Sequence, residues 1–124
     1  MTPAIETGFS DENFYNCIAD ALGKTGNDYI WDSEFSSLTS LSCSEKNIKS
    51  IKGVEKLSRL TTLNISNNDI EELDLSKNST LIHLDASNNK INHVIWPETF
   101  LFNDINLSNN LLSNVLQTDR KSVV

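Results

Sequence analysis

One spacing governs what this chain can become. The segment Leu60-Thr-Thr-Leu63-Asn-Ile65-Ser-Asn-Asn68-Asp-Ile70 has the form L-x-x-L-x-L-x-x-N-x-L. It returns as Leu81, Leu84, Ala86, Asn89 and Ile91, and again as Phe102, Ile105, Leu107, Asn110 and Leu112. An earlier copy runs Leu38, Leu41, Cys43, Lys46 and Ile48, with Lys in the place of Asn. The copies start at residues 38, 60, 81 and 102, at intervals of 22, 21 and 21. A unit this short has one apolar edge that it cannot bury by itself. Successive units must stack, which gives a continuous core and a parallel sheet.

Each unit carries its own local instructions. Leu63 and Ile65 alternate with Thr62, Asn64 and Ser66, the pattern of a strand with one buried face. The Ser-Asn-Asn that follows is turn chemistry. Asn68, Asn89 and Asn110 recur at an inward-facing position just after the strand. A buried amide left without partners costs about 1–3 kcal/mol. Each of these amides is therefore expected to bind turn backbone in its own and the neighbouring coil. Lys46 breaks the column in the first copy, where something other than a coil must lie alongside.

The frame resembles the leucine-rich-repeat family over roughly residues 38–116, in which the asparagine column is a known ladder. The arm Ile48, Ile51, Gly53-Val54, Leu57, Leu60 resembles the bacterial internalin type of repeat, with a short helical turn after the glycine. The arm from Ile70 to Leu81 reads as extended or 3₁₀, and the arm from Val94 to Phe100 as irregular and aromatic, with Pro97 excluding a regular helix. Upstream, Ser10-Asp11 can cap a helix to about Lys24, with Phe14, Ile18, Ala21 and Leu22 on its apolar face and Gly23, Gly26 and Asn27 to stop it. A second short helix fits Ser33 to Ser37. This stretch is similar to the N-terminal cap of internalin-like proteins. The resemblance implies an α/β solenoid: a right-handed leucine-rich-repeat superhelix with a parallel sheet of about four short strands and a small helical cap. The expected boundaries are 1–37 for the cap, 38–118 for about four coils, and 119–124 for a non-native tail. That tail back-translates to sequencing-adapter sequence, as at the broken end of a longer metagenomic gene, so the solenoid is expected to be truncated at its C-terminus.

Composition narrows the function. The net charge of −7 disfavours nucleic acid, whose binding needs Lys and Arg against phosphates. No apolar run is long enough to span a bilayer. Met1 to Glu6 carry no signal peptide, which reads as cytoplasmic for the chain as written, whereas the family resemblance implies a secreted or surface protein. Cys17 and Cys43 lack metal-type spacing and are expected to be small buried hydrophobes, with a disulfide as the alternative. His83 beside Asp85 could orient a base, but no Ser or Cys nucleophile stands in an activating context. A metal site from His83, Asp85 and Asp104 would need them to converge from adjacent strands, and exposed binding-face residues are the plainer reading. Asp28, Asp32 and Glu34 lack the spacing of a calcium loop. Gly23-Lys24-Thr25 is not a phosphate loop, because Ile18 stands where its first glycine belongs. The glycosylation-type triplets at Asn64, Asn78 and Asn106 carry little information, the first and last following from the repeat itself.

What remains is a surface. Outward strand positions form one column of Ser40, Thr62, His83 and Asp104, a second of Ser42, Asn64, Asp85 and Asn106, and a third of Ser44, Ser66, Ser87 and Ser108. Stacked strands place each column in register at about 4.8 Å per step. The serine column reads as structural. The other two vary, and Thr62, Asn64, His83, Asp85, Asp104 and Asn106 are the candidate binding residues. Trp96, Phe100 and Phe102 read as core at the C-terminal end. The expectation is a non-catalytic, monomeric module that binds a protein partner on its concave face, without a cofactor. An intracellular regulatory protein and the targeting arm of a longer enzyme are the alternatives.

Overall fold

The computed structural model describes residues 8–25, 28–99 and 101–112, so the 119–124 tail, Phe100 and Asn27 lie outside the described residues. Helix α1 spans Glu12–Ala21 and α2 spans Asp32–Phe35. The strands are β1 (Ser40–Ser42), β2 (Thr62–Asn64), β3 (Glu72–Asp74), β4 (His83–Asp85), β5 (His93–Ile95) and β6 (Asp104–Asn106). A parallel four-stranded sheet runs β1-β2-β4-β6, and β3 and β5 pair in a second parallel sheet. The chain is thus a parallel solenoid of about three turns behind a short helical segment.

The register follows the repeat. Leu41, Leu63, Leu84 and Ile105 stand opposite one another across the first sheet. The first three are buried, as are Cys43, Ile65 and Ala86 two positions on. Ile105 and Leu107 are half-buried at the C-terminal end of the described stack. The asparagines join the coils. Asn68 Oδ1 accepts from the N–H groups of Lys46 and Ile48 at 2.9 and 3.0 Å, while its Nδ2 donates to the carbonyls of Cys43, Ile65 and Ser66. Asn89 and Asn110 repeat this one and two coils on, toward Ile70 and Ile91.

The second sheet corrects the reading of the outer arms. The arm around Val94 is not irregular: His93–Ile95 pairs in register with Glu72–Asp74. Leu73 and Leu75, and then Val94 and Trp96, point inward by the same two-residue alternation as the main strands. The first coil has no strand here. Gly53, at φ 109°, takes a conformation that side chains rarely adopt, and a 3₁₀ turn spans Val54–Lys56. A Cβ at Gly53 would overlap the Phe9 ring, so the glycine also admits the cap.

A buried amide that the repeat reading did not single out sits on this side. Asn78 is 0% exposed, and its Nδ2 donates to the carbonyls of Val54 and Leu57 at 3.0 and 3.2 Å. It ties the second coil to the 3₁₀ turn of the first. Its triplet with Ser79 and Thr80 is therefore a packing device. The outer arm lacks the consensus of the strand side, which is why the sequence did not reveal it.

The cap seats on the first coil by three routes. Asp11 Oδ1 caps α1 through the N–H groups of Asn13 and Phe14, and its Oδ2 accepts from Lys49 and Ser50 of the first coil at 2.6 and 3.2 Å. Phe9, braced within the cap by the rings of Phe14, Tyr15 and Phe35, lies against Gly53 of the first coil. The cysteines are not free thiols: Cys17 of α1 and Cys43 just after β1 form a disulfide, with Cα atoms 6.0 Å apart. The apolar slot that Cys43 shares with Ile65 and Ala86 made it read as a small hydrophobe. The turn of α1 that lays Cys17 over the same slot is tertiary information.

Candidate binding face

The outward positions of the first sheet form two rows. Ser40, Thr62, His83 and Asp104 align across the strands, as do Ser42, Asn64, Asp85 and Asn106. Three-residue strands leave the two terminal side chains facing out and the middle leucine facing in. A shallow depression of about 380 Å³ lies over β2, β4 and β6 and is lined by Thr62, Asn64, His83, Asp85, Asp104 and Asn106 with the central apolar residues. All six predicted binding residues thus border one concavity.

The hydrogen bonds divide the rows by role. In the second row one side-chain oxygen is already engaged. Asn64 Oδ1 accepts from the backbone N–H and hydroxyl of Ser66 at 3.0 and 2.8 Å. Asp85 does the same with Ser87 at 3.1 and 2.7 Å, and Asn106 with Ser108 at 3.1 and 2.7 Å. Asp74 and Ser76 copy the arrangement in the second sheet. These bonds close each strand end and explain the serine column, of which Ser66 and Ser87 are buried. They also fix the rotamers of the second row. The amide nitrogens of Asn64 and Asn106 and the other oxygen of Asp85 are the atoms left for a ligand.

In the first row His83 meets Asp104 of the next strand, not Asp85 of its own. The Nδ1 to Oδ1 distance is 2.8 Å, and both side chains are substantially exposed. Residues two apart on a strand point the same way but stand nearly 7 Å apart, whereas neighbours in register across strands touch. The pairing therefore follows from the register that the first outward column already implied. Among the described residues, no group of three or more His, Cys, Asp or Glu side chains is placed to hold a metal ion.

The aromatic end of the stack is a packed contact. Trp96 is buried and meets Phe102 edge-on at 5.4 Å. Among the described residues no helix is long and apolar enough to cross a membrane.

The same frame recurs in known proteins. A family model described as leucine-rich repeats, two copies, matches residues 36–78. Internalin J of Listeria monocytogenes serotype 4b (strain F2365) is 34% identical over 79 residues, which is 64% of this chain and 9% of the relative. The solved functional domain of InlJ from Listeria monocytogenes, which includes a cysteine ladder, aligns at TM-score 0.65 and 38% identity over 66% of this chain and 18% of that one. This is an internalin-like leucine-rich-repeat protein of bacterial type. The internalin InlF of Listeria monocytogenes strain 4b F2365 aligns with the internalin-like chain at TM-score 0.67 and 30% identity, over 73% of it and 27% of that structure. The internalin-like chain therefore spans well under a third of each of these relatives.

Proposed function

We propose that this internalin-like chain is a non-catalytic module of a surface or secreted bacterial protein, and that it holds a protein partner on the concave face of its first sheet. The observation that carries the reading is the paired row of outward residues. Thr62, His83 and Asp104 lie beside Asn64, Asp85 and Asn106 over one depression, on strands paired in register. Repeat proteins use such extended regular faces for recognition. Ser66 and Ser87 are buried and their hydroxyls close the strand ends on Asn64 and Asp85, which supports a structural role for the serine column. The Cys17–Cys43 disulfide supports an oxidising compartment and hence the extracellular reading over the intracellular one.

The test is a binding screen of the chain against an array of purified extracellular protein domains, repeated with face variants. Thr62→Arg and Asp104→Arg should weaken a captured domain by about tenfold or more, as loss of central contacts does. Glu72→Arg and Asp74→Arg on the second sheet should leave it bound. If the second-sheet variants abolished binding and the first-sheet variants did not, the assignment of the face would be wrong.

A further inference from the structure

The cap carries a surface feature outside the concave sheet. Among the described residues the exposed large apolar side chains are Tyr29, Trp31, Ile95, Leu101 and Leu111. Scattered single residues of this kind are ordinary. Tyr29 and Trp31 differ because they touch, with ring centroids 4.6 Å apart at 72°, while 55% and 63% of each residue stays exposed. Ile30 between them is buried in the core. The extended backbone before α2 thus turns both rings outward and anchors the segment from the opposite side. The backbone at Trp31 is held further by its amide N–H, which donates to Glu34 Oε1 at 2.8 Å, and Glu34 Oε2 meets Lys24 at 2.8 Å. Two aromatic rings are kept in water on a braced support.

The surroundings of the pair are acidic. Residues 28–32 read Asp-Tyr-Ile-Trp-Asp, and residues 8–37 hold six carboxylates against one lysine. That lysine, Lys24, is engaged by Glu34. Its ammonium is pushed above its ordinary value, first by that hydrogen bond and further by the charges of Glu34 and Asp28. Asp32 is 92% exposed in its side chain, and Lys56 approaches it only to 3.9 Å. Asp28 holds Thr25 through one oxygen and keeps the other. The electron-rich faces of Tyr and Trp attract an ammonium or guanidinium group, and adjacent carboxylates add to that attraction. The same field repels anionic lipid and nucleic acid.

We infer that the Asp28–Asp32 segment is a second docking surface, which takes a basic segment of a protein partner by laying an arginine or lysine side chain against the Tyr29–Trp31 pair between the two carboxylates. It is separate from the concave sheet and does not depend on that face binding anything.

The test uses the full chain and a Gly/Ser-spaced peptide bearing four arginines, with its citrulline counterpart as the uncharged control. Trp31 fluorescence serves as the readout, since Trp96 is buried. The arginine peptide should shift the emission and the citrulline peptide should not. A labelled peptide should lose about tenfold in affinity on Tyr29→Ala, Trp31→Leu and the Asp28→Asn/Asp32→Asn pair. Removing two charges elsewhere, in Glu71→Gln/Glu72→Gln, should change affinity less than twofold. Far-UV circular dichroism confirms that each variant is folded, and Tyr29→Ala and Trp31→Leu check one another. Equal weakening by the Glu71/Glu72 pair would mean general acidity and would overturn the inference. Full retention in Trp31→Leu, or tighter binding to zwitterionic phosphatidylcholine vesicles or to a neutral oligosaccharide than to the arginine peptide, would also overturn it.

Discussion

The first coil and the second share one frame, yet different forces hold them. The second coil, from Leu60, has a like neighbour on either side. Its Asn68 reaches back to Lys46 and Ile48, and Asn89 of the third coil reaches back to its Ile70. Its turn residue Asn67 takes φ 60° as Asn88 and Asn109 do at 59° in the coils that follow. The first coil has helices in front of it. Asp11 receives the N–H groups of Lys49 and Ser50, a disulfide fastens Cys43 to α1, and Gly53 leaves room for Phe9. The consensus is therefore a description of neighbours. Where the neighbour changes from coil to cap, Lys46 replaces Asn, Cys43 replaces Ile and Glu45 replaces Asn.

The largest effect should come from the part that all coils share. Leu84 is buried at the centre of the sheet, and Leu84→Ala should cost about 2–5 kcal/mol as a cavity in a packed core. Asp85 faces out and loses only its bonds to Ser87, so Asp85→Ala should cost about 1 kcal/mol. Thermal or urea melts measure both. Equal losses would mean that side chains along the strand are assigned to the wrong faces.

A smaller effect should separate the two coils directly. The Cys17–Cys43 link closes a loop of sequence separation 26, and in the chain-entropy model such a closure contributes about 3.5 kcal/mol. Cys17→Ala/Cys43→Ala should therefore loosen the cap and first coil first. Amide exchange should rise at Phe14–Ile18 and Leu41–Ile48 while Leu63 and Leu84 stay protected. Uniform loss of protection along the solenoid would show instead that the front of the molecule sets the stability of the whole.

What was legible in the sequence follows the same division. The repeat gave the main sheet, its register, the two outward rows and the partners of the coil asparagines, because every coil restates them. The 3₁₀ turn after Gly53 was legible for its glycine. The disulfide, the second sheet and the buried Asn78 were not. The first two depend on how the cap and the outer arms meet other elements. Asn78 lies outside the consensus positions. The alignment of His83 with Asp104, by contrast, follows from the register of the first outward column. The exposed Tyr29–Trp31 pair escaped for a different reason. Alternation around the buried Ile30 turns both rings outward, but three residues are too short a run to stand out among the polar residues on either side.

The smallest effect is the most pointed test of the comparison. Glu45 sits where the later coils have Asn67, Asn88 and Asn109, and it adopts the same left-handed backbone, φ 60°. Residues other than glycine and asparagine pay steric energy there, because Cβ crowds the following carbonyl, and asparagine is several-fold more tolerant. The turn cannot relax, since the Glu45 N–H donates to the carbonyl of Ser66 at 3.2 Å and so follows the second coil. Glu45→Asn should therefore stabilise the chain by about 0.5–1 kcal/mol, read as a rise in denaturant midpoint at unchanged slope. Asn67→Glu should destabilise it by a similar amount. If Glu45→Asn brought no gain while Asn67→Glu carried its full loss, the front turn would be free to leave the left-handed region in solution. The first coil would then be held by its cap more than by its neighbour. A gain and a loss of equal size would show that one backbone geometry is enforced from the front of the solenoid inward, and that Glu45 is a local conflict tolerated at its edge.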